Sequence, residues 1–268
     1  MTPFVGQRIT RSYTLSPDEP EELAVIGRVG TIEIVGEDRD DIDVDVVKQS
    51  SSVRSDLDEL SVETEHANGT LEIRTEWAGE SGWMESEPSV DLTITVPETF
   101  PVSRVGSVVG SAEIRNVRGE LAIESTTGSI TARDVDGSID ARSTTGRIEL
   151  RDVTGTVTAR TTVGRVEIRD VGAVGDIDTN TGRIEVDVPA IDGDTRISST
   201  TGRVEAAIAA DLDAELRAST GTGRVEYDEL ELTDEDSARL QVNGRLGEGG
   251  PSLLIETNTG RVKLTQLD

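Results

Sequence analysis

The chain has 268 residues, with 53 acidic against 26 basic ones and a net charge of −27. It has no cysteine and one histidine, His66, which excludes a disulfide scaffold, a thiolate nucleophile and a Cys-ligated metal centre, and leaves little basis for a Ser-His-Asp triad. The acidity also argues against nucleic acid as a partner, because that binding requires cations to neutralise phosphates.

In chain order, residues 1–22 form an N-terminal segment without the apolar core of a signal peptide, and no run approaches the 18 apolar residues of a membrane span. The expected location is therefore cytoplasmic without membrane insertion, with the cell surface as the alternative. From residue 23 to 109 the sequence predicts irregular coils, with strands at 31–35, 42–48, 60–64, 70–75 and 90–96. Gly27-Arg28-Val29-Gly30-Thr31-Ile32-Glu33-Ile34 reads as a degenerate first coil. The polar stretch 50–59 predicts a loop or short helix. Residues 77–89, with Trp77 and Trp83, predict a loop. His66 falls in a loop beside Asn68-Gly69.

Regular repeats occupy 110–228. Their glycines are Gly110, Gly128, Gly146, Gly164 and Gly182, spaced 18 apart, then Gly202, Gly223 and Gly260 after gaps of 20, 21 and 37. Within a unit, apolar residues alternate with polar ones. Ile148, Leu150 and Val153 are interleaved with Arg147, Glu149, Arg151 and Asp152, and Val166, Ile168 and Val171 repeat the pattern. Period-2 alternation rich in β-branched residues marks strands with one wet face. Residues 229–250 predict an insertion leaving the ladder, and 251–268 a final coil where it resumes.

Two short strands cannot bury an apolar face alone, but stacked copies can. The fold expected is all-β: a parallel β-solenoid, or single-stranded β-helix, of about 18 residues and two strands per coil, continuous over 23–268. Its hand is right-handed by analogy with the usual crossover. A sandwich of hairpins is the rival, but near-identical sequence at every second strand favours in-register parallel stacking.

The order of segments resembles a known family. Gly30-Thr31-Ile32-Glu33-Ile34 is followed by alternating Asp-Ile-Asp-Val-Asp-Val at 41–46. Then come an Asn-Gly-x-Leu-x-Ile strand at 68–73, a Val-x-Leu-x-Ile-x-Val-Pro strand at 90–97 and tandem Thr-Gly-x-Ile coils. From about Leu23 to Leu264 this is similar to the putative-adhesin β-strand-repeat family of unknown function. The resemblance implies the repeat fold and a tie to the cell envelope, and brings no catalytic residues with it.

The sharpest candidate surface is a ladder of Arg-apolar-Glu triplets: Arg147/Glu149, Arg165/Glu167, Arg183/Glu185, Arg203/Glu205 and Arg224/Glu226. It reads either as a surface for a protein partner or polyanion, or as a self-compensating ion-pair sheet. A second ladder, Arg115-Asn116, Arg133-Asp134, Arg151-Asp152 and Arg169-Asp170, predicts turn chemistry. Asp41, Asp43 and Asp45 share a strand face but lack the converging oxygens of a specific Ca²⁺ site. Ser and Thr at 125/127, 143/145, 179/181, 199/201 and 257/259 predict hydroxyl ladders at the corners. Trp77 and Trp83 either cap the open end or form an apolar contact. No cofactor or specific metal is implied; diffuse K⁺ or Na⁺ is expected on the acidic surface. The function expected is a non-catalytic repeat scaffold or protein-interaction module, the alternative an adhesin-like surface module, and a carbohydrate-active β-helix enzyme a distant third.

Only Lys48 and Lys263 are lysines, against 24 arginines, and aromatics make up 2%. Carboxylates hold water and cations, whereas the long apolar lysine stem adds surface that concentrated salt makes costly. The composition predicts a halophilic protein. Its melting temperature should rise from dilute to molar KCl; equal melting at both would reduce the composition to ordinary acidity.

Overall fold

Alternation with β-branched residues produces strand wherever it occurs. The computed structural model describes residues 7–16, 22–50, 57–79 and 88–267, and among them lie 17 strands and a 3-10 turn at Leu57–Glu59. The chain divides into two compact units, 1–135 and 136–268.

The first unit holds β1 (Gln7–Leu15), β2 (Glu22–Val29), β3 (Ile32–Glu37), β4 (Ile42–Ser50), β5 (Leu60–Ala67), β6 (Thr70–Trp77), β7 (Ser89–Pro97), β8 (Val102–Val109), β9 (Ala112–Arg118), β10 (Leu121–Thr127) and β11, which ends at its border (Ile130–Asp136). They pair as two ribbons. In one, β5 is antiparallel to β6, and β6, β2, β8 and β10 follow in parallel. In the other, β1 and β4 are antiparallel, β4 and β7 are antiparallel, and β7, β3 and β9 run parallel. Register sets like beside like. Val25 lies between Ile73 and Val105, and Ile34 between Ile94 and Ile114. All six are buried. The coil made by β2 and β3 therefore sits between the β6–β7 coil and the β8–β9 coil.

Asn68 and Gly69, with φ of 54° and 84°, form the tight turn joining β5 to β6. Both residues having positive φ is the hairpin geometry that Asn-Gly favours. His66 is consequently a strand residue opposite Leu71, exposed, rather than a loop residue.

The second unit holds β12 (Ile139–Val188), β13 (Thr195–Ile208), β14 (Ala214–Asp228), β15 (Thr233–Ala238), β16 (Gln241–Leu246) and β17 (Ser252–Gln266). β12 is one uninterrupted run through several repeats. β13 stacks on its end with Gly202 beside Gly182. Sequence order then fails. β17 lies between β13 and β14, with Gly260 beside both Gly202 and Gly223. The final coil does not extend the ladder but fills a slot within it. Nor does 229–250 leave the ladder: β16 pairs antiparallel with β14, and β15 with β16. Chemistry explains the arrangement. The Thr-Asn-Thr-Gly-Arg-Val run fits any slot of the ladder, whereas Thr233-Asp234-Glu235-Asp236-Ser237-Ala238 is exposed throughout and, with three carboxylates, suits an edge that must not recruit further strands.

The glycine column is a steric requirement. A Cβ on Gly110, Gly128, Gly164, Gly202, Gly223 or Gly260 would stand 1.6–1.8 Å from a glycine carbonyl oxygen of the adjoining coil. These six also have φ between 141° and 159°. Gly182 has the same 1.6 Å conflict without a left-handed φ, so there the close approach alone forbids a side chain. The second ladder answers a different demand. Asn116, Asp134, Asp152 and Asp170 have φ of 52–55°, the left-handed conformation that Asn and Asp tolerate at bends.

Gly182→Ala should cost on the order of 3 kcal/mol, since the neighbouring backbone has no room to yield. Gly106→Ala, whose Cβ would meet nothing nearer than 3.9 Å, should shift stability by less than about 0.5 kcal/mol. Denaturant unfolding of both variants checks this; equal losses would remove the close-approach account.

Candidate interaction surface

Residues two apart on a strand share a face, so each Arg-x-Glu triplet turns both charged groups outward after the glycine corner. Parallel register then sets Arg203 beside Arg183 and Glu205 beside Glu185. Like charges at strand spacing repel. Diagonal bonds relieve the repulsion. Arg147 Nη2 donates to Glu167 at 2.6 Å and Arg183 Nη2 to Glu205 at 2.5 Å, and Arg165 bonds Glu185 in the same way. Each bond ties one coil to the next. Within the coils, Arg203 and Arg224 hold Glu205 and Glu226 at 3.2 and 2.8 Å.

Sequence reasoning assigned Arg151 and Arg169 to turns and missed their part in this surface. The signal was present as Arg-x-Glu-x-Arg, at 147–151 and 165–169, which puts three residues on one face. Arg151 Nη2 donates to Glu167 at 2.7 Å and Arg169 Nε at 3.2 Å. Glu167 thus meets four arginines: 147, 151, 165 and 169. Its side chain is 7% exposed while that of Arg147 is 44%. The carboxylates lie underneath and the guanidiniums form the outer layer.

Burial is the largest single influence on Glu167 and opposes its ionisation. Bonds from Arg169 and Arg147 and the charge of Arg151 together outweigh it, so its pKa falls below the ordinary glutamate value. Glu205 is shifted the same way, with burial opposed by Arg183 and Arg203. Asp187 goes the other way: burial raises its pKa, and the charge of Arg169 offsets this only in part.

Other sequence candidates resolve individually. Asp41 and Asp43 bind Arg39 at 2.7 and 2.5 Å, and Thr14 donates to Asp43 at 2.8 Å. A guanidinium therefore occupies the place where a cation was weighed. The first members of the hydroxyl ladder point inward; Ser125, Ser143, Thr179 and Ser199 are buried without a hydrogen-bond partner among the described residues. Thr257 instead donates to the Gly202 carbonyl at 3.4 Å. Trp77, half-buried at the end of β6, folds over Gly79, where a Cβ would stand 2.4 Å from its Nε1. Trp83 lies outside the described residues. Among those residues no helix is long and apolar enough to cross a membrane.

The pattern of the Toastrack DUF4097 family matches residues 22–265. Among curated proteins no match was found. A putative adhesin from Bacteroides fragilis is similar in structure, with 13% identity, a TM-score of 0.52 and 97% of each chain covered. A putative adhesin from Parabacteroides distasonis has 12% identity and a TM-score of 0.46, covering 96% of this chain and 97% of its own. A putative lipid binding protein from the same organism has 14% identity and a TM-score of 0.42, with 96% of each chain covered. At these identities the Bacteroides likeness speaks for the fold alone.

A carboxylate with a depressed folded pKa stabilises above its unfolded value, and the contribution disappears as pH falls through the folded value. Glu167→Gln should therefore cost about 1–3 kcal/mol at neutral pH and flatten the acid limb of the stability profile. Asp187 has the opposite sign: its charged form is disfavoured in the fold, so Asp187→Asn should stabilise at neutral pH and have little effect in acid. Urea unfolding across pH 3–8 measures both.

Proposed function

The chain belongs to the Toastrack DUF4097 family, and on that premise we propose that it is a non-catalytic repeat scaffold whose arginine-topped face docks a protein partner with an acidic surface. The observation that carries this reading is the layering of the ladder. Glu149, Glu167 and Glu185 are 13%, 7% and 12% exposed beneath guanidiniums that are 33–44% exposed. A chain of net charge −27 thus offers a partner a regular array of hydrogen-bond donors there. The arginines are held in place by ion pairs, so less conformational freedom is lost on docking than with free side chains. The same pairing commits the carboxylates of the face to arginine, which leaves none as a poised general acid or base.

A scaffold of this kind can act inside the cell, whereas an adhesin-like role would require the protein outside the membrane. Cell fractionation separates the two. Chemical cross-linking in cells, with the wild type and an Arg165→Gln/Arg183→Gln double variant, tests the face itself. The variant should lose the cross-linked partner while keeping the circular dichroism of the wild type. An unchanged cross-link would remove the docking reading.

A further inference from the structure

From Gly146 onward the Arg-x-Glu pattern breaks at one coil. In β17 the glutamate position is Lys263, which stands in register beside Glu205 on one side and Glu226 on the other. Arg261 of the same coil stands between Arg203 and Arg224. Three Thr-Gly-Arg runs, 201–203, 259–261 and 222–224, therefore lie side by side at about 4.8 Å spacing. They line an open groove of about 960 Å³.

The groove has a fourth guanidinium, Arg239, from the turn between β15 and β16. That turn is fastened over the corner of β14. Thr220 N donates to the Leu240 carbonyl at 2.9 Å and Val225 N to the Arg239 carbonyl at 3.0 Å. In the same hairpin Arg245 is used in the ordinary way, paired with Asp234. Arg239 has no ion-pair partner among the described residues, and there the hydroxyls of Thr201, Thr222 and Thr259 make no hydrogen bond. Glu205, which holds Arg203, and Glu226, which holds Arg224 and reaches Arg261 at 3.5 Å, stand outside the lining. Every side-chain polar group facing the groove can donate, and cations exceed carboxylates around it.

We infer that this groove binds a multiply charged phosphoryl anion, free in solution or carried as a lipid headgroup. The lining supplies guanidinium forks and hydroxyls and no carboxylate, and although Arg203, Arg224 and Arg261 share Glu205 and Glu226, Arg239 and the three hydroxyls are uncommitted, which suits a ligand made of acceptor oxygens. Neighbouring arginines at strand spacing can engage successive phosphoryl groups, and a single carboxylate would leave most of the donors unused. The groove is independent of protein docking at Arg165 and Arg183.

Calorimetric titration of the full chain with pyrophosphate, alongside sedimentation with phosphatidylglycerol vesicles, tests the inference. Saturable one-site binding is expected in at least one arm, and which arm identifies the source of the phosphoryl group. Arg239→Gln and Lys263→Glu, the second restoring the ladder's regular carboxylate, should each weaken that binding about tenfold with melting temperature unchanged. Arg142→Gln, remote from the groove and paired with Asp140, should bind as the wild type does. Absence of binding in both arms, binding that survives both groove variants, or an equal loss in Arg142→Gln would each overturn the site.

Discussion

The close approach of glycine to glycine across adjoining coils is the constraint on which the other features depend. A Cβ 1.6–1.8 Å from the carbonyl of the next coil cannot be accommodated, so the corners at Gly110, Gly128, Gly164, Gly182, Gly202, Gly223 and Gly260 must be glycine. With that contact in place, adjoining strands have one possible register. Ile184 beside Val204 and Val204 beside Val262 follow from it, as does the burial of all three. A slip of one residue would place side chains where only hydrogens fit and would turn every apolar residue to the wet face. The core can then be thin, aliphatic and nearly free of aromatics, because registry rather than bulk determines how its layers pack.

The same registry creates the electrostatic problem and its solution. Parallel in-register stacking places identical charges side by side, an arrangement that costs energy on any strand pair. Alternating Arg and Glu along the strand lets Arg147, Arg165 and Arg183 bond the carboxylate of the coil beyond their own, as Arg147 does with Glu167. The extra arginines at 151 and 169 then cover that carboxylate from the other side. The result is a surface with acid beneath and base above, whose sign to an approaching partner differs from that of the chain as a whole. The two lysines do not belong to a general solvent coat either. Lys48 is buried with its Nζ bonded to the Leu60 carbonyl, and Lys263 stands where the ladder elsewhere has glutamate.

Sequence periodicity revealed the repeat, the strand faces and the Arg-Glu columns, because each is a local statement that stacking merely copies. The glycines were legible as the marker of the repeat, but the reason they must be glycine was not: Gly182 shows that close approach is sufficient. The position of β17 was not legible. Its Thr-Gly-Arg run matches those of β13 and β14 equally well, so nothing local distinguishes a place between them from a place beyond them. Arg239 was hidden for a related reason. It lies in a polar hairpin with no repeat signature, and only the bonds of Thr220 and Val225 to that turn bring it over the corner glycines.

The insertion of β17 also explains how the second unit can be cooperative despite being built of copies. In a simple stack each coil could form on its predecessor and fray from the end. Here β14 has β17 rather than β13 as its parallel neighbour, so β14 and its hairpin have no parallel template until residues 252–266 are in place. The first unit has the corresponding arrangement, with β2 and β3 held between coils that come later in sequence. Each such contact closes a long loop, whose entropy cost grows only with the logarithm of its length, while a coil held on both faces leaves no unpaired edge. Folding is slowed by pairings distant in sequence, but the most repeat-like coils are the ones least able to peel away. That is what a scaffold needs if its surface chemistry depends on keeping side chains in register to within a fraction of a strand spacing.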